Sequence, residues 1–255
     1  MELVYPDRSP AWHDLIYTLQ DLLIEYPDVY LVGGVVRDAL RERFAKDIDL
    51  ATAGDGRPVA RHLANALKGD FYVLDAARGV GRALVPFRGE RWVIDVAQFR
   101  GPSLLADLGD RDFTVNALAV PLQGELNGIV DPLGGVHDLF RKGLRRCSEH
   151  ALQDDPVRAL RAVRQSLAFD LRIEPATLAD VRLAGQHLHE VPGNGCAMNL
   201  WLCWRAPSHG ADCWLCISWA VGRSPARSRR CGYGSLAGCA GLAGGVAAVI
   251  GGLSA

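Results

Sequence analysis

Two aspartates and two glycines between residues 31 and 50 have the types and the spacing that metal-assisted phosphate chemistry needs. Asp47 and Asp49 stand two apart in Lys-Asp-Ile-Asp-Leu, so on a strand both side chains point to the same face. Neighbouring carboxylates repel each other unless a cation lies between them. Gly33 and Gly34 let the backbone approach a ligand, and the N–H groups of the following turn suit a phosphate. Together these features predict transfer of a nucleotide.

Each of these carboxylates also has a simpler interpretation. The aspartate pair alone could be a solvated strand edge or turn. Asp95 lies on a nearby strand-like segment, residues 91–99, where it could be a third metal ligand or only a hydrogen-bond acceptor within the sheet.

Phosphoryl and nucleotidyl transfer use hard divalent ions, which prefer oxygen ligands. Metal ions at such a site activate the attacking hydroxyl and stabilise the pyrophosphate leaving group.

Two arginine-bearing motifs follow. The first runs Gly-Asp-Arg-Asp-Phe-Thr-Val-Asn-Ala-Leu-Ala from residue 109 and contains Arg111 and Asn116. It could be a charged turn that caps a helix, or it could place Arg111 on a phosphate or sugar and Asn116 near the nucleotide. Arginine suits a phosphate because its planar fork binds two oxygens at once.

The second motif runs Asp-Asp-Pro-Val-Arg-Ala-Leu-Arg-Ala-Val-Arg over residues 154–164. Arg158, Arg161 and Arg164 recur every third residue, so they share one face of a helix. Asp155 could cap that helix, or it could join Arg158 in pairing with the edge of a base. An arginine-lined helix is otherwise a solvated face, and the spacing leaves both roles open.

The elements that must position these residues are short helices and strands. Apolar spacing predicts helices over residues 11–26, 35–43, 58–67 and 104–108, strands over 29–32, 48–51, 71–74, 81–87 and 91–99, and a segment over 112–120 that starts helical and ends extended. This mixture indicates an α+β domain, with a small and mostly antiparallel sheet, to about residue 145. From Asp155 the pattern becomes wholly helical, with a second helix over residues 175–187.

The three motifs, in this order and spacing, resemble the bacterial class II nucleotidyltransferase family. That family contains the CCA-adding tRNA nucleotidyltransferases and the bacterial poly(A) polymerases, within the polymerase-beta superfamily. The resemblance covers residues from about 29 to 190. It implies a polymerase-beta-like head whose small mixed or antiparallel sheet is flanked by helices, followed by an all-helical neck. The residue at 154 is aspartate where the family often has glutamate.

The resemblance also assigns roles. It implies that Asp47 and Asp49 hold Mg²⁺, that Gly34 and Arg37 contact the triphosphate, and that Arg111 binds the nucleotide. It gives the choice between ATP and CTP to Asp155 and Arg158, and further triphosphate contacts to Arg161 and Arg164. The implied reaction is attack of an RNA 3′-hydroxyl on the α-phosphate with release of pyrophosphate. CCA addition or partial CCA addition to tRNA is favoured, with poly(A) polymerase or a nucleotide-binding remnant that lacks an RNA-holding body as alternatives.

Composition divides the chain further. We expect a head over residues 1–145, a helical neck that binds RNA and nucleotide over 146–193, and an atypical, poorly ordered tail over 194–255. The tail has five arginines, no lysine and one acid, Asp212, and it holds every cysteine but Cys147. That composition is typical of a GC-rich gene read in a shifted frame, so we hypothesise that a frameshift replaced the body and tail.

Two other interpretations of the tail stay open. Cys213 and Cys216 have metal-ligand spacing, although no second pair follows for a zinc site. Residues 236–253 are uncharged and just long enough to span a membrane, but their many glycines and alanines are only weakly hydrophobic, so a membrane partner is not favoured.

Net charge and the N-terminal sequence bear on the expected partners and on the expected location of the protein. The formal net charge of -1 does not indicate a nucleic-acid partner, although a local basic face can lie within a neutral total. The expected partners are RNA 3′ ends with ATP and CTP, and no DNA. No basic segment followed by an apolar run opens the chain, so we expect it in the cytoplasm.

Overall fold

A computed structural model describes residues 3–44, 46–188 and 199 of the chain. The chain divides into two compact units between Arg141 and Lys142. The first unit holds a six-stranded sheet with helices, and the second is mainly helical in its described part.

The first unit alternates short strands and helices. Its helices are α1 Asp14–Leu22, α2 Gly34–Leu40, α3 Gly56–Ala66, α4 Leu104–Gly109 and α5 Gly135–Phe140, with a 3₁₀ turn at Thr114–Asn116. Its strands are β1 Val29–Val32, β2 Asp47–Thr52, β3 Asp70–Asp75, β4 Val80–Phe87, β5 Glu90–Gln98 and β6 Ala119–Pro121. The strand order is β3-β4-β5-β2-β1-β6. Only the β2–β5 pair is parallel, so the expected mixed, mostly antiparallel sheet is confirmed.

One face of this sheet is buried and the other is open. On β5 the side chains of Trp92, Ile94 and Val96 are buried and alternate with residues that are partly or fully exposed. Helix α3 packs against the buried face, where a Cβ on Gly81 would stand 2.8 Å from the Cβ of Ala60. A strand with one apolar face is the pattern expected for a sheet covered on one side. The other face is therefore available for polar side chains.

The second unit contains three helices and one short ladder in its described part. The helices are α6 Ala151–Asp154, α7 Val157–Phe169 and α8 Pro175–Gly185, and the strands are β7 Gly143–Leu144 and β8 Arg172–Ile173. The sequence predicted only helix from Asp155 onward, and the parallel β7–β8 ladder is an addition to it. It forms because Asp170 adopts a left-handed conformation that ends α7 and turns the chain back.

Most predicted elements appear with shifted ends. The strand over residues 29–32 is confirmed at both ends, whereas the helix predicted over 11–26 forms only at Asp14–Leu22. His13 begins that helix, since its Nδ1 accepts a hydrogen bond from the Leu15 N–H. The segment predicted to start as a helix at residue 112 forms only the 3₁₀ turn before β6.

The interpretations of the tail, namely the frameshift, the zinc pair Cys213 and Cys216, and the membrane segment 236–253, lie outside the described residues. Within the described part of the chain, no helix combines the length and the apolar character that crossing a membrane requires.

Candidate active site

Strand β2 presents the two predicted metal ligands on the open face of the sheet. Asp47 and Asp49 are exposed, while Ile48 and Leu50 between and after them are each only 1% exposed. The strand lies between β1 and β5, with ladder pairs on both sides. A one-residue shift of register would exchange the carboxylates with the core residues, so burial of Ile48 and Leu50 fixes the direction of both carboxylates.

Asp95 lies directly beside this pair. In the parallel β2–β5 ladder Asp49 stands opposite Asp95, and in the antiparallel β4–β5 ladder Asp95 stands opposite Arg82. Both Asp95 oxygens accept hydrogen bonds from Arg82, from Nε and Nη2, at 2.7 Å each. Asp95 therefore accepts hydrogen bonds within the sheet, which is one of the two roles left open for it. Its use as a third metal ligand stays a prediction.

A hydrogen bond from Arg82 to Asp95 and the charges of Asp47, Asp49 and Asp95 all raise the pKa of Arg82. Its hydrogen bond to Asp95 is the main reason that the pKa of Arg82 lies above its ordinary value, and burial acts in the opposite direction. The charges of Asp95, Asp47 and Asp49 add to the upward shift. A single guanidinium thus balances part of the negative charge on this face.

The glycine turn stands against Asp49. Gly33 precedes α2 with φ 73° and ψ −129°, a backbone conformation that residues other than glycine rarely adopt. A Cβ built on Gly33 would lie 2.7 Å from Nη1 of Arg111 and 3.8 Å from Oδ2 of Asp49. The absence of a side chain at Gly33 therefore lets Arg111 and the strand that carries Asp49 come together. Three predicted site residues from distant parts of the sequence meet at this point.

Arg111 is held by a carboxylate that the sequence argument did not predict. Asp107, on α4, accepts hydrogen bonds from Nε and Nη2 of Arg111 at 3.1 and 2.7 Å, and its side chain is only 3% exposed. The Arg100 backbone N–H also donates to it. The available signal was the four-residue spacing between Asp107 on α4 and Arg111 just after the end of that helix. Asp107 fixes the direction of the guanidinium while leaving Nη1 beside Gly33.

Arg37 and Asn116 lie in a second buried network. Arg37 donates from Nη1 to Oδ1 of Asn116 at 2.6 Å, and from Nε and Nη2 to the Asp38 carboxylate at 2.9 and 3.1 Å. The Asn116 amide donates in turn to Asp112 at 2.8 Å. All four residues are buried, so this network braces α2 against the segment that contains the 3₁₀ turn. Direct contact of Arg37 or Asn116 with a nucleotide stays a prediction.

Residues predicted for the arginine helix lie in the second unit. Asp155 lies two residues before the start of α7, where its Oδ1 accepts from the Val157 N–H at 3.0 Å and its Oδ2 lies 3.8 Å from Nε of Arg158. Arg158 also donates from Nη1 to the Ala151 carbonyl. Arg161 and Arg164 follow at three-residue intervals on α7, and both are partly exposed. One Asp155 oxygen thus accepts from the first N–H of α7, while Pro156 is the N-cap residue of that helix; contact of Asp155 with a base stays a prediction.

The chain is similar to known proteins of one kind. A family model described as the poly A polymerase head domain matches residues 29–145. The CC-adding tRNA nucleotidyltransferase of Geobacter sulfurreducens is 41% identical over 150 residues, which cover 59% of this chain and 34% of that protein. Residues 29–145 are thus similar to the head domain of the class II CCA-adding enzyme and poly(A) polymerase family.

Other similar proteins include an A-adding enzyme and a solved CCA-adding enzyme. The A-adding tRNA nucleotidyltransferase of Deinococcus radiodurans is also 41% identical, over 61% of this chain and 34% of its own length. The Thermotoga maritima CCA-adding enzyme, solved with tRNA, superposes with a TM-score of 0.72 at 28% identity, over 81% of this chain and 50% of that one. The chain thus spans a third to a half of the length of the relatives and structures that it matches.

The carboxylates fit the divalent metal that nucleotidyltransferases of this family generally use. Asp47 and Asp49 supply hard oxygen ligands from one exposed face, the donors that Mg²⁺ and similar ions prefer. Among the described residues, no group of three or more His, Cys, Asp or Glu side chains is arranged to share an ion. Mg²⁺ commonly takes one or two carboxylates and completes its shell with substrate phosphates and water. A two-carboxylate site is therefore sufficient.

Proposed function

We propose that this chain is an RNA nucleotidyltransferase that adds CMP or AMP to the 3′ end of tRNA. The observation that carries the proposal is the meeting of Asp49, Gly33 and Arg111, which places an exposed carboxylate pair beside a guanidinium that is already oriented. A nucleoside triphosphate needs both features, namely oxygen ligands for a divalent ion and a planar donor for a phosphate.

In the proposed reaction the terminal 3′-oxygen of RNA attacks the α-phosphorus of the incoming nucleotide. The bond from that phosphorus to the bridging oxygen breaks, and pyrophosphate leaves with the electron pair. Asp47 and Asp49 would hold Mg²⁺, which when bound lowers the pKa of the attacking hydroxyl and neutralises charge on the leaving group. Arg111 would bind a phosphate oxygen through Nη1, and Asp107 holds Nε and Nη2 so that little orientation has to be gained during reaction.

The glycine turn and the buried network give this site its shape. Gly33 and Gly34 keep the turn free of side chains, so the triphosphate approaches the backbone beside Arg111. Arg37 and Asn116 act in this proposal by holding α2 and the 3₁₀ turn together, and the positive charge of Arg37 adds to the attraction for phosphate.

Selection of the base is assigned to α7. The resemblance gives the edge of the base to Asp155 and Arg158, and additional triphosphate contacts to Arg161 and Arg164. The position of these three arginines at three-residue intervals on α7, each at intermediate burial, supports this assignment. ATP, CTP and an RNA 3′ end are the proposed partners, and a cytoplasmic location suits such substrates.

Two alternatives have an observation in their favour. A poly(A) polymerase would share the head domain, because the matching family model describes the head of that enzyme. A nucleotide-binding remnant without RNA transfer would need only the site in the first unit, where Asp49, Gly33 and Arg111 meet.

One incubation separates the three functions. Purified full-length chain is supplied with labelled CTP or ATP, Mg²⁺ and tRNA that lacks its CCA end. The proposal predicts incorporation of CMP, AMP or both, limited to at most three residues on tRNA. Long AMP tracts on unrelated RNAs would favour the poly(A) polymerase. Binding of labelled nucleotide without incorporation would contradict transfer and favour the remnant.

A further inference from the structure

A row of charged side chains crosses three strands beside the candidate metal ligands. Asp49 on β2, Asp95 on β5 and Arg82 on β4 are direct ladder neighbours. Neighbours in register point to the same face of a sheet, so the three side chains stand side by side on the open face. The sequence did not predict Arg82 as a member of this row. Arg82 is the hydrogen-bond partner of Asp95, which is the ladder neighbour of Asp49.

We propose that Arg82 is a positioning residue that holds Asp95 away from the metal and weakens metal binding in the absence of substrate. This inference rests on the proposed function, because it assumes that Asp47 and Asp49 hold the ion. It goes beyond the proposed function in assigning the affinity for metal to the charge of Arg82 on β4. The nucleotide's phosphates then supply the ligands that complete the metal's shell.

The contacts of Asp95 support the first half of the proposal. Both carboxylate oxygens are engaged by one guanidinium at 2.7 Å, and this fork-to-fork geometry fixes the plane of the carboxylate. To reach an ion on Asp49, Asp95 would have to give up at least one of these bonds. An ordinary cross-strand ion pair adds only modest stability, whereas this one also determines whether two or three carboxylates are offered to a metal.

Electrostatics supports the second half. Arg82 lies within the influence of Asp47 and Asp49, whose charges favour its protonated form. The interaction is mutual, so the guanidinium charge opposes a second cation at that pair. Two strand spacings separate β2 from β4, about 10 Å. A unit charge at about that distance from a divalent ion changes its affinity roughly tenfold at an intermediate dielectric constant.

The test measures metal binding without nucleotide or turnover. Free Mn²⁺ is followed by electron paramagnetic resonance during titration of the full chain, with Mn²⁺ as the probe for the divalent site. Arg82→Gln keeps one hydrogen bond to Asp95 and removes the charge, and we expect Mn²⁺ to bind roughly tenfold more tightly. Asp95→Asn leaves the guanidinium without its carboxylate, and we expect binding to weaken by a similar factor.

The matched control is Arg57→Gln. Arg57 also forms a two-pronged pair with an aspartate, Asp55, and its side chain is 37% exposed, as is that of Arg82. It lies on α3, so Mn²⁺ affinity should stay at the wild-type value. Thermal unfolding verifies that each variant is folded, and if Arg82→Gln does not fold, the near-isosteric Asp95→Asn decides alone.

The outcomes distinguish the role of Arg82 from the metal-binding role of Asp47 and Asp49. Wild-type binding that is lost in Asp49→Asn and tightened in Arg82→Gln supports the inference. Binding that needs Asp49 but is unchanged in both Arg82→Gln and Asp95→Asn overturns the inference and leaves the proposed function standing. A wild-type chain whose Mn²⁺ binding does not depend on Asp47 or Asp49 overturns both.

Discussion

Replacement of Gly33 by alanine tests how the site is assembled. The φ of 73° and ψ of −129° at Gly33 would cost an alanine on the order of 1–3 kcal/mol of backbone strain. The new Cβ would stand 2.7 Å from Nη1 of Arg111, closer than real Cβ contacts. The guanidinium would have to move away from Asp107, and a lost charge-assisted hydrogen bond costs about 1.5–3 kcal/mol. We therefore expect Gly33→Ala to destabilise the protein by roughly 2.5–6 kcal/mol.

The neighbouring glycine provides the control. Gly34 lies in α2, and a Cβ there would meet only the Arg37 side chain, with Nη2 at the ordinary contact distance of 3.4 Å. Alanine also favours a helix over glycine by up to about 1 kcal/mol. Gly34→Ala should therefore unfold close to wild type.

Equilibrium unfolding in urea, followed by far-ultraviolet circular dichroism, gives the comparison. With a slope of about 1–3 kcal/mol/M, Gly33→Ala should lower the midpoint by roughly 1 M or more. A Gly33→Ala midpoint no lower than that of Gly34→Ala would refute the close approach of Arg111 to this turn.

Two further variants test the supports of the site. Asp107→Asn removes the buried charge that holds Arg111 and should lower the free energy of unfolding, measured by thermal unfolding, by about 2–4 kcal/mol. The control is Asp110→Asn: Asp110 is an exposed partner of Arg100, and its loss should cost under about 0.5 kcal/mol. Equal losses in the two variants would contradict the role of Asp107. Asp55→Ala removes the cap of α3, worth about 1 kcal/mol. Hydrogen bonds from Arg57 hold the pKa of Asp55 below its ordinary value, so its stabilisation is present above pH ~4 and is lost as the pH falls through that lowered pKa. The wild-type advantage should therefore shrink in acid, and a constant advantage would contradict it.

Local patterns in the sequence were sufficient for most strands of the first unit and for the face of the aspartates, but not for the β7–β8 ladder. The alternation of Asp47, Ile48, Asp49 and Leu50 predicts which side chains reach solvent, and their burial agrees with it. The end of α1 at Leu22 was harder to predict, because apolar spacing continues past the last helical turn. Helix ends depend on capping contacts as well as on periodicity.

Contacts that depend on the strand order could not be predicted. Asp49 and Asp95 are neighbours because β2 and β5 pair in parallel, although three elements separate them in the chain. Arg82 joins them only through the β4–β5 register. The fit of Arg111 against Gly33 likewise needs the positive φ of that glycine. Sequence spacing gives no access to such distances, since they are set by tertiary packing.

The central claim is that Asp47 and Asp49 carry nucleotide transfer, and the rate of transfer in Asp47→Ala tests it most directly. Labelled CMP and AMP incorporation into tRNA that lacks its CCA end is measured for wild type and variant at equal folded fraction, verified by circular dichroism. Asp47 is an exposed strand residue, so its loss should leave the fold intact. We expect the wild-type chain to incorporate label and the variant to lose at least about a thousandfold in rate. Incorporation by Asp47→Ala at a rate near that of wild type would contradict the account.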